Sequence, residues 1–244
     1  MSTAPPRRLQ ARGVPPWRAD WLTHHHLARA LRRAMAGALR SLGSPGGAGL
    51  IALDLGCGQR PWSALFGHAR CLGVDISTEG ASPDLLAAGH ALPFVHGSFD
   101  LVFSSQVLEH VPDDAPVLAE CARVLRPGGE LVLSVPFYWP LHEEPHDHRR
   151  FTSHGLQRAL QVAGFEVVEL VADSGSLSMV VAAALELLPR RRGLWLPMAP
   201  LVLAANALAL ALQPFSRDRR STLNWVVRAR RPRDLDPTDL RDRP

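Results

Sequence analysis

Lysine is absent from the 244 residues, so all 27 fixed cations are arginine. The formal net charge is +4 and the isoelectric point about 9.7. Arginine pairs well with phosphate, carboxylate and anionic lipid surfaces. An arginine-rich codon bias gives the same composition, so basicity alone does not select a partner. Cysteine occurs three times, at Cys57, Cys71 and Cys121. An odd count without a spacing framework speaks against a disulfide-stapled secreted domain. The N-terminus lacks the apolar stretch of a signal peptide, which makes a reducing cytoplasm the expectation. Internal repeats are missing too. Charged residues reach 20% and hydrophobic ones 46%, values of a folded chain with one sizeable core.

Strand and helix signals alternate along the middle of the chain. Residues 1–19 are rich in proline and arginine and predict a disordered arm, as do 233–244 at the other end. Residues 20–47 predict an N-terminal helix with Asp20 as its cap, followed by the loop SLGSPGGAG. His24, His25 and His26 are expected on its solvated face. Apolar runs at 50–57, 71–77, 99–105, 130–137, 165–172 and 223–230 predict strands. Helices are expected from Asp113 to Arg126, where Pro127-Gly128-Gly129 should stop it, and from Thr152 or Ser153 to Ala163. Strands separated by helices form parallel βαβ units. The fold class is therefore α/β, a Rossmann-like doubly wound and mostly parallel sheet with helices on both faces. Residues 48–232 form this domain.

Open sheets of this kind bind ligands at the carboxyl ends of their strands. The first strand ends Asp54-Leu55-Gly56-Cys57-Gly58, a turn in which glycine lets the backbone approach a ligand closely. A dinucleotide fingerprint needs a third glycine, but that position is Pro61. The acid at Asp54 also suits a cation better than a pyrophosphate. Asp75, at the end of the second strand, is placed to accept from ribose hydroxyls. Together these describe a positively charged nucleoside without phosphates, which fits S-adenosylmethionine (SAM).

The stretches IALDLGCG, GVDIS, ALPFVHGSFDLVFSSQVLEHV and LRPGGELVLSVP, between about residues 50 and 172, resemble the class I SAM-dependent methyltransferases, in particular the methyltransferase type 11 family. The resemblance implies a seven-stranded sheet and SAM as cofactor. It places Asp54, Gly56, Gly58 and Gln106 near the methionine part, Asp75 on the ribose, and Ile76, Gly89 and Leu92 around the adenine. Many relatives carry an aspartate where this chain has Ala88; backbone at Gly89 or His90, or else the Asp84 carboxylate, would have to replace it. A non-catalytic SAM- or nucleoside-binding module is the alternative function.

Residues 142–146 read HEEPH, which matches the H-E-x-x-H pattern of zinc proteases. That pattern needs one helix, and Pro145 inside it removes a hydrogen bond and crowds the preceding turn at a cost of about 3 kcal/mol. The stretch is expected to be extended, and no metal centre is expected. The longer run His142–Thr152 resembles an H-x-x-P-x-D-x-x-R-[YF]-T pattern of some type 11 methyltransferases. It makes His142, His146 and Asp147 the candidate catalytic groups, with His148 as a further possible base. His110, Tyr138 and Arg150 become candidate acceptor contacts, and Asp147 with Arg150 is equally consistent with a plain structural pair. The acceptor is a small molecule, glycan or lipid-linked group. Nucleic acid is not expected, because neither an Asn/Asp-Pro-Pro-Tyr/Phe motif nor a basic-aromatic platform is present.

Residues 173–221 form an apolar insertion before the last strand. It contains LSMVVAAALELL (177–188) and LVLAANALALALQ (201–213), with Arg190–Arg192 before the second segment and Arg217, Arg219 and Arg220 after it. Pro197 and Pro200 are expected to break that segment, leaving about 13 helical residues, fewer than the roughly 20 that span a bilayer. A cap on the sheet, a dimer face and contact of 177–213 with an anionic membrane at its inner face all remain open.

Overall fold

The computed structural model describes residues 14–188, 192–216, 218 and 220–233, with backbone only at 192–196. Most of both expected disordered termini, and Arg190, Arg191, Arg217 and Arg219, lie outside the described residues. Seven strands form one sheet: β1 Ile51–Leu55, β2 Arg70–Asp75, β3 Leu85–Leu86, β4 Phe99–Ser105, β5 Leu125–Pro136, β6 Glu166–Ala172 and β7 Asn224–Arg230. Their order is β3-β2-β1-β4-β5-β7-β6. All neighbours are parallel except β7, which runs antiparallel to both β5 and β6. The connections leave β1 in opposite directions, so the switch point lies between β1 and β4.

Alternation along the strands splits the core into two layers. Ala52, Leu101, Phe103, Val132 and Val226 face α1 (Trp21–Ser41), which presents Leu27, Leu31, Met35 and Leu39. Leu53, Val102, Leu131, Leu133 and Val227 face α2 (Asp114–Val124) and α3 (Ser153–Val162). Helices thus cover both faces. Asp113 and Thr152 cap α2 and α3, each side chain accepting from a backbone N–H of the first turn.

Several local expectations are corrected. Asp20 precedes α1 but makes no capping bond with its side chain; Arg18 holds that carboxylate at 2.6 and 2.9 Å instead. His26 is fully buried, with Nε2 3.2 Å from Ser178 Oγ, rather than on a solvated face. Helix α2 stops at Val124, and β5 runs on through Pro127-Gly128-Gly129. The ladder irregularity between Phe99 and Leu101 absorbs this extra length.

The insertion forms α4 (Ser176–Glu186) and α5 (Arg192–Leu212), the latter 21 residues long with Pro197 and Pro200 inside it. Each proline removes one ladder bond, but the leucine- and alanine-rich sequence beyond them continues the helix. The inward stripe of α5 is Val202, Asn206 and Ala209, continued by Gln213. Asn206 Nδ2 donates to the carbonyls of Pro16 (2.8 Å) and Arg18 (3.2 Å). Leu201, Leu203, Leu208 and Leu212 face outward. Asn206 therefore points into the protein while Leu201, Leu203, Leu208 and Leu212 point out, the reverse of a soluble surface helix.

Candidate active site

The turn after β1 is tied to β2 before any ligand is considered. The N–H groups of Gly56 and Cys57 both donate to the Val74 carbonyl, at 2.8 and 3.1 Å. Gly56 has φ +69°, and a Cβ there would lie 2.3 Å from Val107 Cγ2, so glycine is needed to admit the loop after β4. Gly58 has φ +50°, and a Cβ added there meets nothing within 4 Å. It borders open space that a ligand can occupy. Its N–H donates to Asp75 Oδ2 at 2.9 Å, while Asp75 Oδ1 accepts from Ile76 N at 2.8 Å. With the Ser77 N–H, 3.4 Å from Oδ1, three backbone amides fix the carboxylate and leave further lone-pair capacity on Oδ2. Ile76 follows it 76% exposed, an apolar side chain next to an anchored acid.

Asp54 is buried beneath this turn. Burial pushes its carboxyl up to about 7, against the Arg60 charge that lowers it, and Asp75 adds to the rise. A cation placed beside it would favour the charged form. Arg60 is committed elsewhere: it pairs with Asp84 and donates to the Ser82 carbonyl at 2.9 Å. Asp84 also accepts from Gly73 N at 2.8 Å, so it braces β2. Gly89 sits against Val117, and Leu92 is a core residue rather than an open wall. The segment after Gly89 is held by Arg123, which donates to the carbonyls of Leu92 (2.9 Å) and Phe94 (2.6 Å) while paired with Glu120. Only the Glu120-x-x-Arg123 spacing on α2 hinted at this clamp.

Gln106, just past β4, adopts φ +58°, rare for a residue with a side chain. Its N–H donates to the Ser134 carbonyl (3.0 Å) and its Nε2 to Ser134 Oγ (3.2 Å). Val107 then packs over Gly56, and a 3-10 turn follows at Leu108–His110. Residues 142–146 form a bent turn, with Glu143 at φ +52°, instead of extended chain or helix. This loop docks on the 3-10 turn: His148 N donates to the Glu109 carbonyl at 2.8 Å, and His110 Nδ1 lies 3.0 Å from the His146 carbonyl.

Within the loop, Arg150 grips Asp147 at 2.5 and 2.7 Å and donates to the Trp139 carbonyl at 3.0 Å. Burial alone would raise the Asp147 carboxyl, but Arg150 and the His142 N–H hold it down at about 2. Asp147 is therefore an ionised brace, and Arg150 is spent on the same bond. His146 is exposed, whereas His142 is half-buried and its ring stands edge-on to His110, centroids 4.7 Å apart. Tyr138 N donates to the Leu223 carbonyl at 3.0 Å, anchoring the loop's entrance to the start of β7. Glu109 is the group that sequence reasoning missed. It is fully buried, and neither carboxylate oxygen has a hydrogen-bond partner among the described residues. Burial raises it to about 8.

Residues 53–133 match the model of a methyltransferase domain. An uncharacterised methyltransferase of Mycobacterium avium (strain 104) is 33% identical over 200 residues, 68% of this chain and 78% of that one. A ubiquinone biosynthesis O-methyltransferase of Aromatoleum aromaticum is 34% identical over 103 residues, 36% of this chain and 44% of that one. The chain spans half or less of the first curated relatives it matches, from 50% down to 34%. A Burkholderia thailandensis 1,6-didemethyltoxoflavin N1-methyltransferase, solved with S-adenosylhomocysteine, superposes with a TM-score of 0.53 at 19% identity, covering 94% of this chain and 100% of that one. The sheet order, the glycine turn and these matches agree. The chain belongs to the class I SAM-dependent methyltransferases, whose cofactor is SAM.

The residues present fit that cofactor. Gly58 borders open space, Asp75 has spare acceptor capacity, Ile76 offers an uncovered apolar face, and Asp54 is a buried carboxyl whose charged form a cation would favour.

Proposed function

We propose that the chain transfers a methyl group from SAM to an acceptor bound beneath the 137–151 loop. The observation that carries this reading is the anchored Asp75 beside the open space at Gly58, with buried Asp54 next to it. SAM supplies a methyl activated by its sulfonium. The protein's share is to hold the acceptor in line with that methyl, which alone can account for most of the rate. Asp54 and Asp75 fix the two ends of the cofactor. Gln106, itself fixed by Ser134, orients the side facing the acceptor. Asp147 and Arg150 keep the loop closed over it.

Among small-molecule, glycan and lipid-linked acceptors, the outward leucines of α5 favour the lipid-linked class. Leu187 (86%), Leu201 (61%), Leu208 (58%) and Phe215 (80%) are open to solvent, and only 22% of the Pro197–Phe215 window is buried. Arginines flank this surface in the sequence at 190–192 and at 217, 219 and 220. An apolar segment flanked in sequence by arginine suits the anionic surface of a membrane. Transfer of labelled methyl from SAM to lipid extracts, lost in Asp75→Ala, tests the activity. Flotation with phosphatidylglycerol vesicles tests the surface, and failure to float would remove the lipid-linked reading.

A further inference from the structure

Glu109, His110 and His142 each bring one ligand atom to a common point, all within 4.8 Å of one another. We propose that these three side chains bind one divalent transition-metal cation at the acceptor side of the site. Two histidines and one carboxylate with open positions remaining is a donor set that zinc and its neighbours accept. The inference uses the methyl-transfer reading only for the role of the ion, not for its binding.

Three observations beyond proximity carry it. First, the Glu109 carboxylate is fully buried and both its oxygens lack hydrogen-bond partners among the described residues. An anion in such a place normally has a cation or a proton beside it. Arg150, the nearby cation, is already held by Asp147. Second, both rings have their Nδ1 engaged. His110 Nδ1 faces the His146 carbonyl at 3.0 Å, and His142 Nδ1 faces Asp147 Oδ2 at 3.1 Å and the Pro140 carbonyl at 3.2 Å. An acceptor on Nδ1 fixes the proton there and leaves Nε2 of each ring as a bare lone pair, as in ligating histidines. Third, Glu143 Oε2 lies 3.9 Å from His110 Nε2, within reach as a further oxygen ligand. Metal–ligand bonds of about 2 Å require the three ligand atoms to draw in by roughly 1 Å, a change side-chain rotation on a loop supplies.

This set differs from the H-E-x-x-H reading of residues 142–146. His142 contributes, but its partners come from the turn after β4, 32 residues earlier and more, and Pro145 does not matter to them. A cation held there would polarise a hydroxyl oxygen of the acceptor. Methyl transfer then forms the O–C bond as the S–C bond breaks, leaves the sulfur as a neutral thioether, and releases the hydroxyl proton to solvent.

The test uses the full chain, stripped with a chelator and titrated with Co²⁺ in the absence of SAM. The expected result is one Co²⁺ per chain with intense d–d absorption, displaced by Zn²⁺. Glu109→Gln and His142→Ala should each weaken binding by more than the roughly 10–100-fold that loss of an outer-shell partner costs. His142→Cys should keep binding and add a thiolate-to-cobalt charge-transfer band absent from the parent chain. SAM binding of each variant shows that it is folded. Binding that is unchanged in Glu109→Gln and His142→Ala would place the ion on other histidines and overturn the site. So would no saturable binding by a chain that binds SAM. Failure to bind SAM, with metal binding intact, would instead count against the methyl-transfer reading alone.

Discussion

SAM affinity should depend on pH through one proton on Asp54. Burial sets its carboxyl at about 7 in the free protein, with Arg60 opposing and Asp75 reinforcing the rise. An ordinary aspartate lies near 4. The free protein therefore favours protonated Asp54. The stability from this group is full below about pH 4 and is lost as pH rises through about 7. A bound ammonium or sulfonium reverses the preference, because it favours the carboxylate. Well below pH 7 the apparent affinity should fall about tenfold per pH unit, which gives about 50-fold between pH 7 and pH 5, or roughly 2.3 kcal/mol. Calorimetry in buffers of different ionisation enthalpy should count close to one proton released per SAM at pH 6 and few at pH 8. Asp54→Asn copies the protonated form. It should bind weakly at every pH, match the parent near pH 5 and lose the proton release. Equal affinity of the parent chain at pH 5 and 8, without proton release, would refute the reasoning.

Other consequences are independent of that proton. Gly58→Val keeps open space around the new side chain but must hold φ +50°, so it should cost about 1–3 kcal/mol of stability and abolish SAM binding in a folded protein; equilibrium dialysis and urea melts separate the two effects. Glu130 is fully buried and accepts from Arg230 (2.9 Å) and Ser41 (2.6 Å), joining α1, β5 and β7. Glu130→Gln leaves Arg230 and nearby Arg228 without their counter-charge, and should cost about 3 kcal/mol and roughly 6–12 °C of melting temperature with SAM affinity nearly intact. Asp147→Ala frees Arg150 and the loop turn; the turnover number should fall by about tenfold or more while SAM affinity changes less than about twofold, as steady-state and binding measurements will show.

Local rules carried much of this fold into the sequence. The strand runs and their polar breaks gave six of the strands, since a buried strand must be apolar whatever its partners. The two-residue β3, Leu85–Leu86, is too short to show any period. Pro197 and Pro200 are read as breakers from propensity, whereas the helix around them continues because the remaining ladder and the docked stripe at Val202, Asn206 and Ala209 outweigh two lost bonds. His26 was unreadable for another reason: its burial depends on Ser178, 152 positions away. The site divides the same way. Gly56, Gly58 and Asp75 were legible because a tight turn and a strand-end acid are local features. Glu109 was not, since LEHV looks like any short turn until the loop from β5 folds over it. The Asp147–Arg150 pair was open to the sequence as a structural brace, but the Trp139 carbonyl and the His142 backbone N–H that complete it were not.

The most direct test of the central claim is calorimetric binding of SAM and S-adenosylhomocysteine to the parent chain and to Asp75→Ala at pH 8. Micromolar, one-to-one binding by the parent is expected, with a loss of at least about 100-fold in the variant, about 2.7 kcal/mol for the ribose contacts of a charged acceptor. Absence of binding to a folded parent chain, or equal binding by Asp75→Ala, would contradict it.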